Sequence, residues 1–320
     1  MLDLELYDRV WLSARPRMQA LIADGYLRFD YRNVKIDVEG LEKIPDHPVI
    51  YAMNHTDNFN YWPFQYFLHR KWKRYMAAWV KGKNYEHPFV SWFMRTTNNI
   101  PLASRGYVIT RDFLDVTGRR PKKDEYRLVR DAVESLDETL SGVPEELLTK
   151  PRTILGRPFD PSSEHYVVAI DELMNLLHGK FVELNRKALD IGADVLVFPQ
   201  GTRSVRLSRG HVGLAQMALH LGATIVPVGC NNCDLVYSGK SIVTKPGHIT
   251  YRIGDPIPPE HWGDAPRDVP PLTRAADQHR DAFQRVVDEV MDRINELLDE
   301  RHRYSDDQVS EGTTGTERFV

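Results

Sequence analysis

Residues 193–229 read ADVLVFPQGTRSVRLSRGHVGLAQMALHLGATIVPVG, two apolar runs on either side of a helical segment. Ala193–Phe198 is apolar almost without interruption, and Pro199 and Gly201 then turn the chain. His211–Gly222 has the apolar density of a buried helix, and Ala223–Gly229 is a second apolar strand. Strands that are apolar throughout, rather than alternating, are covered on both faces. A strand, a covering helix and a second such strand imply a parallel pairing. The expected fold class is α/β, a mostly parallel mixed sheet covered by helices.

The same pattern extends upstream. His47–His55 (HPVIYAMNH) is a buried strand that ends at His55, and Asn33–Gly40 (NVKIDVEG) alternates as a half-exposed strand does. Tyr61–His69 is a helix whose first turn accommodates Pro63. Arg74–Val80 and Asn98–Ala103 are further strands, and the opening stretch to about Arg32 reads as helix. From Gly106 to His165 the chain changes character. It has a basic run at Arg119–Lys123, then a helix with Leu128, Val129, Ala132, Val133, Leu136 and Leu140 on one face, then a proline-rich irregular part. A helix follows from about Tyr166 to Leu189, and a late strand lies in Gly247–Ile257. A long amphipathic helix carries Phe283, Val286, Val287, Val290, Met291, Ile294, Leu297 and Leu298. The expected organisation is a single domain over residues 1–304, with an insertion at about 106–165 and a disordered tail at 305–320.

Composition narrows the function classes. Against 42 Lys and Arg stand 45 Asp and Glu, a net charge of −3, without the basic excess of a nucleic-acid binder. Two cysteines make no disulfide scaffold and suit a reducing compartment. The first residues, MLDLELYDRVWLSARPR, carry acids where a secretion signal has basic residues, so a cytoplasmic chain is expected. No apolar stretch reaches the length of about 18 residues that a membrane helix needs. Cys230 and Cys233 form one CxxC with no second pair, and His248 is an unsupported third ligand, so two buried thiols are expected rather than zinc. Nucleotide-binding glycine loops and the GxSxG elbow are missing.

Three turns can carry chemistry. NHTDNFN (Asn54–Asn60) places His55 at a strand end with Asp57 and Asn60 nearby, as a general base and its orienting partner need. FPQGTRS (Phe198–Ser204) offers Gly201, Thr202, Arg203 and Ser204 to an anion, because arginine makes forked charge-assisted bonds and turn amides add fixed dipoles. NNIPLASRG (Asn98–Gly106) puts Arg105 just after a strand. Each has an ordinary reading as well: a solvated turn histidine, a strand-to-loop turn, a surface arginine, and for Asp57 a helix cap.

Taken in order, the NH turn, the arginine after an IP strand, FPxGTRS and the IVPVG run (Ile225–Gly229) resemble the glycerophospholipid acyltransferase family of the lysophosphatidate acyltransferase type. Ser208–Ala218 and Arg252–Ile257 are similar to further blocks of that family. The resemblance implies that His55 is the base that deprotonates an acceptor hydroxyl. That hydroxyl then attacks an acyl thioester of coenzyme A or acyl carrier protein. It also implies that Arg203, Thr202, Ser204 and Arg105 hold the acceptor phosphate, and that Val226–Val228 shapes the floor. Neither metal nor redox cofactor is expected, and contact with a bilayer would be peripheral, on its inner face. The aromatic and basic residues near the N-terminus and in Lys71–Phe93 (Trp72, Lys73, Arg74, Trp79, Lys81, Lys83, Trp92) are candidates for that contact. Two carboxylates of the family pattern are amides here, Asn60 and Gln200. An asparagine orients a catalytic histidine less well than an aspartate in serine proteases, so Asp57 is a second candidate for the orienting role. The alternatives are a non-catalytic relative that binds lipid or acyl carrier, and an acyltransferase redirected to another hydroxyl or amine.

Overall fold

A computed structural model describes residues 1–239, 241–309 and 316–320. In chain order the first elements are α1 (Leu4–Asp8), α2 (Arg17–Ile22), a π-helical turn (Ala23–Leu27), α3 (Arg28–Asp30), β1 (Val34–Glu39), β2 (Ile50–Met53), α4 (Trp62–Trp72) and β3 (Met76–Lys81). Next come α5 (Pro88–Thr96), β4 (Asn99–Leu102), α6 (Arg105–Thr117), α7 (Lys123–Ser135), α8 (Glu145–Thr149), β5 (Arg152–Ile154) and β6 (Arg157–Phe159). The chain closes with α9 (Tyr166–Asp190), β7 (Asp194–Val197), α10 (Gly213–Leu221), β8 (Ile225–Asn231), α11 (Cys233–Val236), β9 (Gly247–Ile253), α12 (Arg274–Asp277) and α13 (Arg280–Glu296).

Two compact units emerge. One holds Met1–Trp11, Val80–Leu184 and the described residues 316–320; the other holds Leu12–Trp79 and the described residues from Asn185 to 309.

In the second unit the sheet runs β1-β9-β8-β2-β7-β3. Every pairing there is parallel except β8 with β9. Strands β2, β7 and β8 are buried at every position, as their unbroken apolar runs require. Tyr51 lies between Leu196 and Val226, so the ends of β2, β7 and β8 fall side by side. Helix α13 buries Phe283, Val286, Val287, Val290, Met291 and Ile294. The Arg74 guanidinium grips Asp194 through both nitrogens at 2.6 and 2.7 Å, and Asp194 also accepts from the Val49 amide at 3.0 Å. This ties the chain before β2 and β3 to the start of β7. Burial lifts the Asp194 carboxyl above its ordinary range although Arg74 opposes the shift.

The first unit is more regular than the proline content of its chain suggests. Helices α6, α7 and α8 and the β5–β6 hairpin fill the stretch after Gly106. Arg152 pairs with buried Asp112 at 2.7 Å, and the Tyr166 hydroxyl donates to the same carboxylate at 2.9 Å. In α7, Tyr126, Val129, Ala132 and Val133 are buried. Leu128 and Leu136 are exposed instead. Leu128 is one residue, about 100° around the helix, from the buried stripe, and Leu136 is the left-handed residue that ends the helix.

Other differences have local causes. The opening stretch is not one helix: it breaks before Pro16, which precedes α2. Arg74 and Trp79 do not face a membrane. Arg74 is committed to Asp194, and the Trp79 indole donates to Asn185 at 2.6 Å. Trp72 and Trp92 are exposed. The tail is ordered where it is described: Arg209 donates to the Gln308 carbonyl at 3.1 Å, and residues 316–318 form a helical turn. The remainder of the expected tail, 310–315, lies outside the described residues. Among the described residues no helix is long and apolar enough to cross a membrane.

Candidate active site

Strand β2, central in the sheet, delivers the chain to Asn54 just past its C-terminal end, where the Asn54 side chain clamps β8. The amide donates to the Cys230 carbonyl at 2.9 Å and accepts from the Cys230 amide at 2.7 Å. The next residue, His55, is half-buried, and its ring stacks on Phe198 with centroids 4.0 Å apart and planes 14° apart. The turn after β2 and the turn after β7 are zipped together at this point. The His55 amide donates to Gln200 Oε1 at 2.9 Å, and the Ser204 amide donates to the His55 carbonyl at 2.9 Å.

Asn60 lies 3.1 Å from His55 Nδ1 through its Oδ1. Its Nδ2 donates to the Asn54 carbonyl at 2.7 Å, and the Asn60 carbonyl accepts the Tyr251 hydroxyl at 2.6 Å. That donation fixes which way the amide points, so the oxygen faces the imidazole. An oxygen facing Nδ1 requires a proton on Nδ1 and leaves the lone pair on Nε2. The buried amide therefore selects one tautomer, which the sequence-level comparison with a carboxylate does not anticipate. It lacks the negative charge that would stabilise the imidazolium.

Gln200 is built the same way. It is buried, accepts from His55 with one end, and donates with the other to Ser208 Oγ at 3.1 Å and to the Arg206 carbonyl at 3.5 Å. Both amides thus use a donor that a carboxylate does not have.

Asp57 is turned to other partners. Its oxygens accept from the Thr56 hydroxyl and the Phe59 amide, both at 2.8 Å, which is an Asx turn. Burial raises its carboxyl above the ordinary range; the bonds from Phe59, Thr56 and the Cys233 thiol oppose the rise. The contact on Nδ1 belongs to Asn60, because the Asx turn directs residue 57 back along its own backbone. Burial and the neighbouring Cys230 push the Cys233 thiol well up, and both cysteines are free and buried. His248, the third candidate ligand, bonds Asp37 at 2.7 Å. Among the described residues no group of three or more His, Cys, Asp and Glu is arranged to hold a metal ion.

Gly201 has φ +66°, the left-handed value that turns the chain toward Arg203. Arg203 is exposed and donates to Asn58 Oδ1 at 2.5 Å, and Asn58 Nδ2 donates to the Gly239 carbonyl at 3.0 Å. Thr202 is half-buried and Ser204 buried on the same turn. Arg105 belongs to the other unit: it opens α6 behind the Ser104 cap, 3.8 Å from Glu134. Asn54, Phe198, Ser208 and Tyr251 support the site. Asn54 and Phe198 lie inside the quoted turns and Ser208 opens the quoted block Ser208–Ala218, whereas no motif pointed to Tyr251.

At the ends of parallel strands a histidine with a fixed tautomer is zipped to a turn that carries an exposed arginine, an arrangement chemically able to take up a proton and to bind an anion. The acyltransferase family model matches residues 35–136, the segment that holds His55, Asn60 and Arg105. That segment is therefore similar to an acyltransferase domain. No curated protein matches the chain. Among solved structures it is similar to the 1-acyl-sn-glycerophosphate (LPA) acyltransferase PlsC from Thermotoga maritima, at 16% identity over 90% of this chain and 85% of that one, with a TM-score of 0.40.

Proposed function

We propose that the protein is an O-acyltransferase that moves a fatty acyl group from a thioester of coenzyme A or acyl carrier protein to a lysophosphatidate-like acceptor. The observation that carries this is the doubly bonded Asn60 amide, whose oxygen faces His55 Nδ1 and so puts the proton-accepting lone pair on Nε2. As the acceptor hydroxyl gives its proton to Nε2, its oxygen attacks the thioester carbonyl. The tetrahedral intermediate then collapses, the C–S bond breaks, and the imidazolium returns the proton to the departing thiolate. The Arg203 turn, with Thr202 and Ser204, suits the acceptor phosphate, since a guanidinium binds such an anion through two parallel bonds. The reaction needs a positioned base and an anchored acceptor, and the chain's own groups supply both. A lipid acceptor brings the protein to a membrane surface as a peripheral visitor.

Free-thiol release from acyl-CoA in the presence of lysophosphatidate is the test. His55→Ala is expected to lower turnover by about 10²–10⁴-fold, the usual contribution of a general base, in a protein that still unfolds cooperatively, somewhat earlier because the ring's stack and its bond to Asn60 are lost. Turnover that survives the substitution removes His55 as the base. Lipid binding without turnover on any thioester would leave a non-catalytic lipid binder.

A further inference from the structure

Outward from Arg203, hydrogen bonds lead to Asn58 and the Gly239 carbonyl, a few residues in sequence from exposed apolar side chains. Arg203 bonds Asn58, Asn58 bonds the Gly239 carbonyl, and the segment that follows carries Ile242 and Val243, 50% and 57% exposed. This segment is fastened to the helical region near the start of the unit. The Tyr26 hydroxyl donates to the Ile242 carbonyl at 2.5 Å, and the Asp30 carboxylate accepts from the Thr244 amide at 3.2 Å. Between Tyr26 and Asp30, Phe29 stands 63% exposed, with the Arg32 guanidinium 4.3 Å from its ring centre. Arg28 and Lys245 are exposed on the same two segments. The acid among them, Asp30, is occupied by Thr244. The helical region also contains the π-turn Ala23–Leu27, a form that is rare and frequent near functional sites.

An aromatic and two aliphatic side chains held out into solvent by hydrogen bonds from behind are a poor surface for water. A rim of arginine and lysine around them matches the headgroup boundary of an anionic bilayer, where apolar tips enter and cations meet phosphate. We infer that the edge formed by Phe29, Ile242 and Val243, with Arg28, Arg32 and Lys245, is the surface on which this protein sits on anionic lipid. The contact path through Asn58 sets the Arg203 turn beside that edge, so an acceptor phosphate at the headgroup level meets the site without leaving the membrane. The inference rests on the acyl-transfer reading only for the reason a bilayer should come to this side.

Sedimentation of the full chain with vesicles of phosphatidylcholine and phosphatidylglycerol in equal parts is the direct measurement. Because both side chains are exposed, the double variant Phe29→Ser, Val243→Ser should melt as the wild type does and lose at least about tenfold in vesicle partition. Arg32→Gln should lower partition about fivefold on the mixed vesicles and leave binding to pure phosphatidylcholine unchanged. Thiol release with a water-soluble short-chain acceptor, run in parallel, should be unaffected by either change. Unchanged partition of the double variant overturns the assignment. So does conversion of a wild-type dimer to a monomer with partition unaltered, which would make the edge a contact between copies of the chain. Loss of partition in a protein that turns over no thioester would keep the lipid surface and remove the acyl-transfer reading.

Discussion

The proton on His55 is placed by an amide whose orientation is decided elsewhere. Asn60 is fully buried, and its donation to the Asn54 carbonyl at 2.7 Å leaves its oxygen to the imidazole. Asn54 is held in turn by both of its bonds to Cys230. An aspartate at position 60 would point an oxygen at that carbonyl, two acceptors face to face in a buried site. Asn60→Asp is therefore expected to cost about 1–3 kcal/mol in urea unfolding at neutral pH. The loss should shrink in acid, where the new carboxyl can carry a proton and donate. Asp57 gives a second test. Its folded carboxyl is raised by burial, so between the ordinary carboxylate range and its raised value the folded state holds more protons than the unfolded one. Its contribution to stability is present in acid and is lost as pH rises through that window. Relative to wild type, Asp57→Asn should thus be more stable at pH 7 than at pH 4 when unfolding midpoints are compared. The histidine and the arginine turn were legible in the sequence because strand ends and glycine turns leave local marks. The roles of Asn60 and Asp57 were not, since residues two and five positions beyond His55 point wherever the turn sends them.

At the scale of elements, the strands β2, β7 and β8 were readable because burial on both faces forces apolar residues at every position. Their tops are then joined by side chains rather than by regular pairing: Gln200 and the Ser204 amide bind the His55 peptide from the neighbouring turn. The packing of β8 against the chain beyond α13 depends on Gly229. A Cβ there would lie 2.7 Å from Leu297 Cβ and 2.8 Å from the Leu297 carbonyl oxygen. Backbone cannot yield as a side-chain tip does, so Gly229→Ala should destabilise by about 1–3 kcal/mol, read from the urea midpoint at constant slope. In the first unit the amphipathic pattern of α7 was legible in outline; Leu128 departs because it sits off the buried stripe, and Leu136 because the helix ends there. The proline-rich stretch misled because it was judged by its breakers. Pro144 and Pro158 flank or sit in short elements, and Arg152, held by Asp112, anchors the chain between them.

Across the whole molecule a net charge of −3 spreads over two compact units, so any attraction to an anionic partner is local. On the proposed readings Arg203 and the arginines around Phe29 are such local sites, whereas Arg74 is spent inside the fold on Asp194. By itself the sequence determined the class of sheet and where its apolar strands lie along the chain, and it singled out the histidine and arginine turns as candidates, because hydrophobic periodicity and turn chemistry act over a few residues. Only the tertiary structure decided that Asn60 holds the imidazole, that Gln200 joins two turns and that Tyr26 and Asp30 fasten the segment of Ile242 and Thr244. Those relations bring together groups from distant parts of the chain, and a hydrogen bond or a shared surface depends on where the backbone carries them rather than on their spacing in sequence.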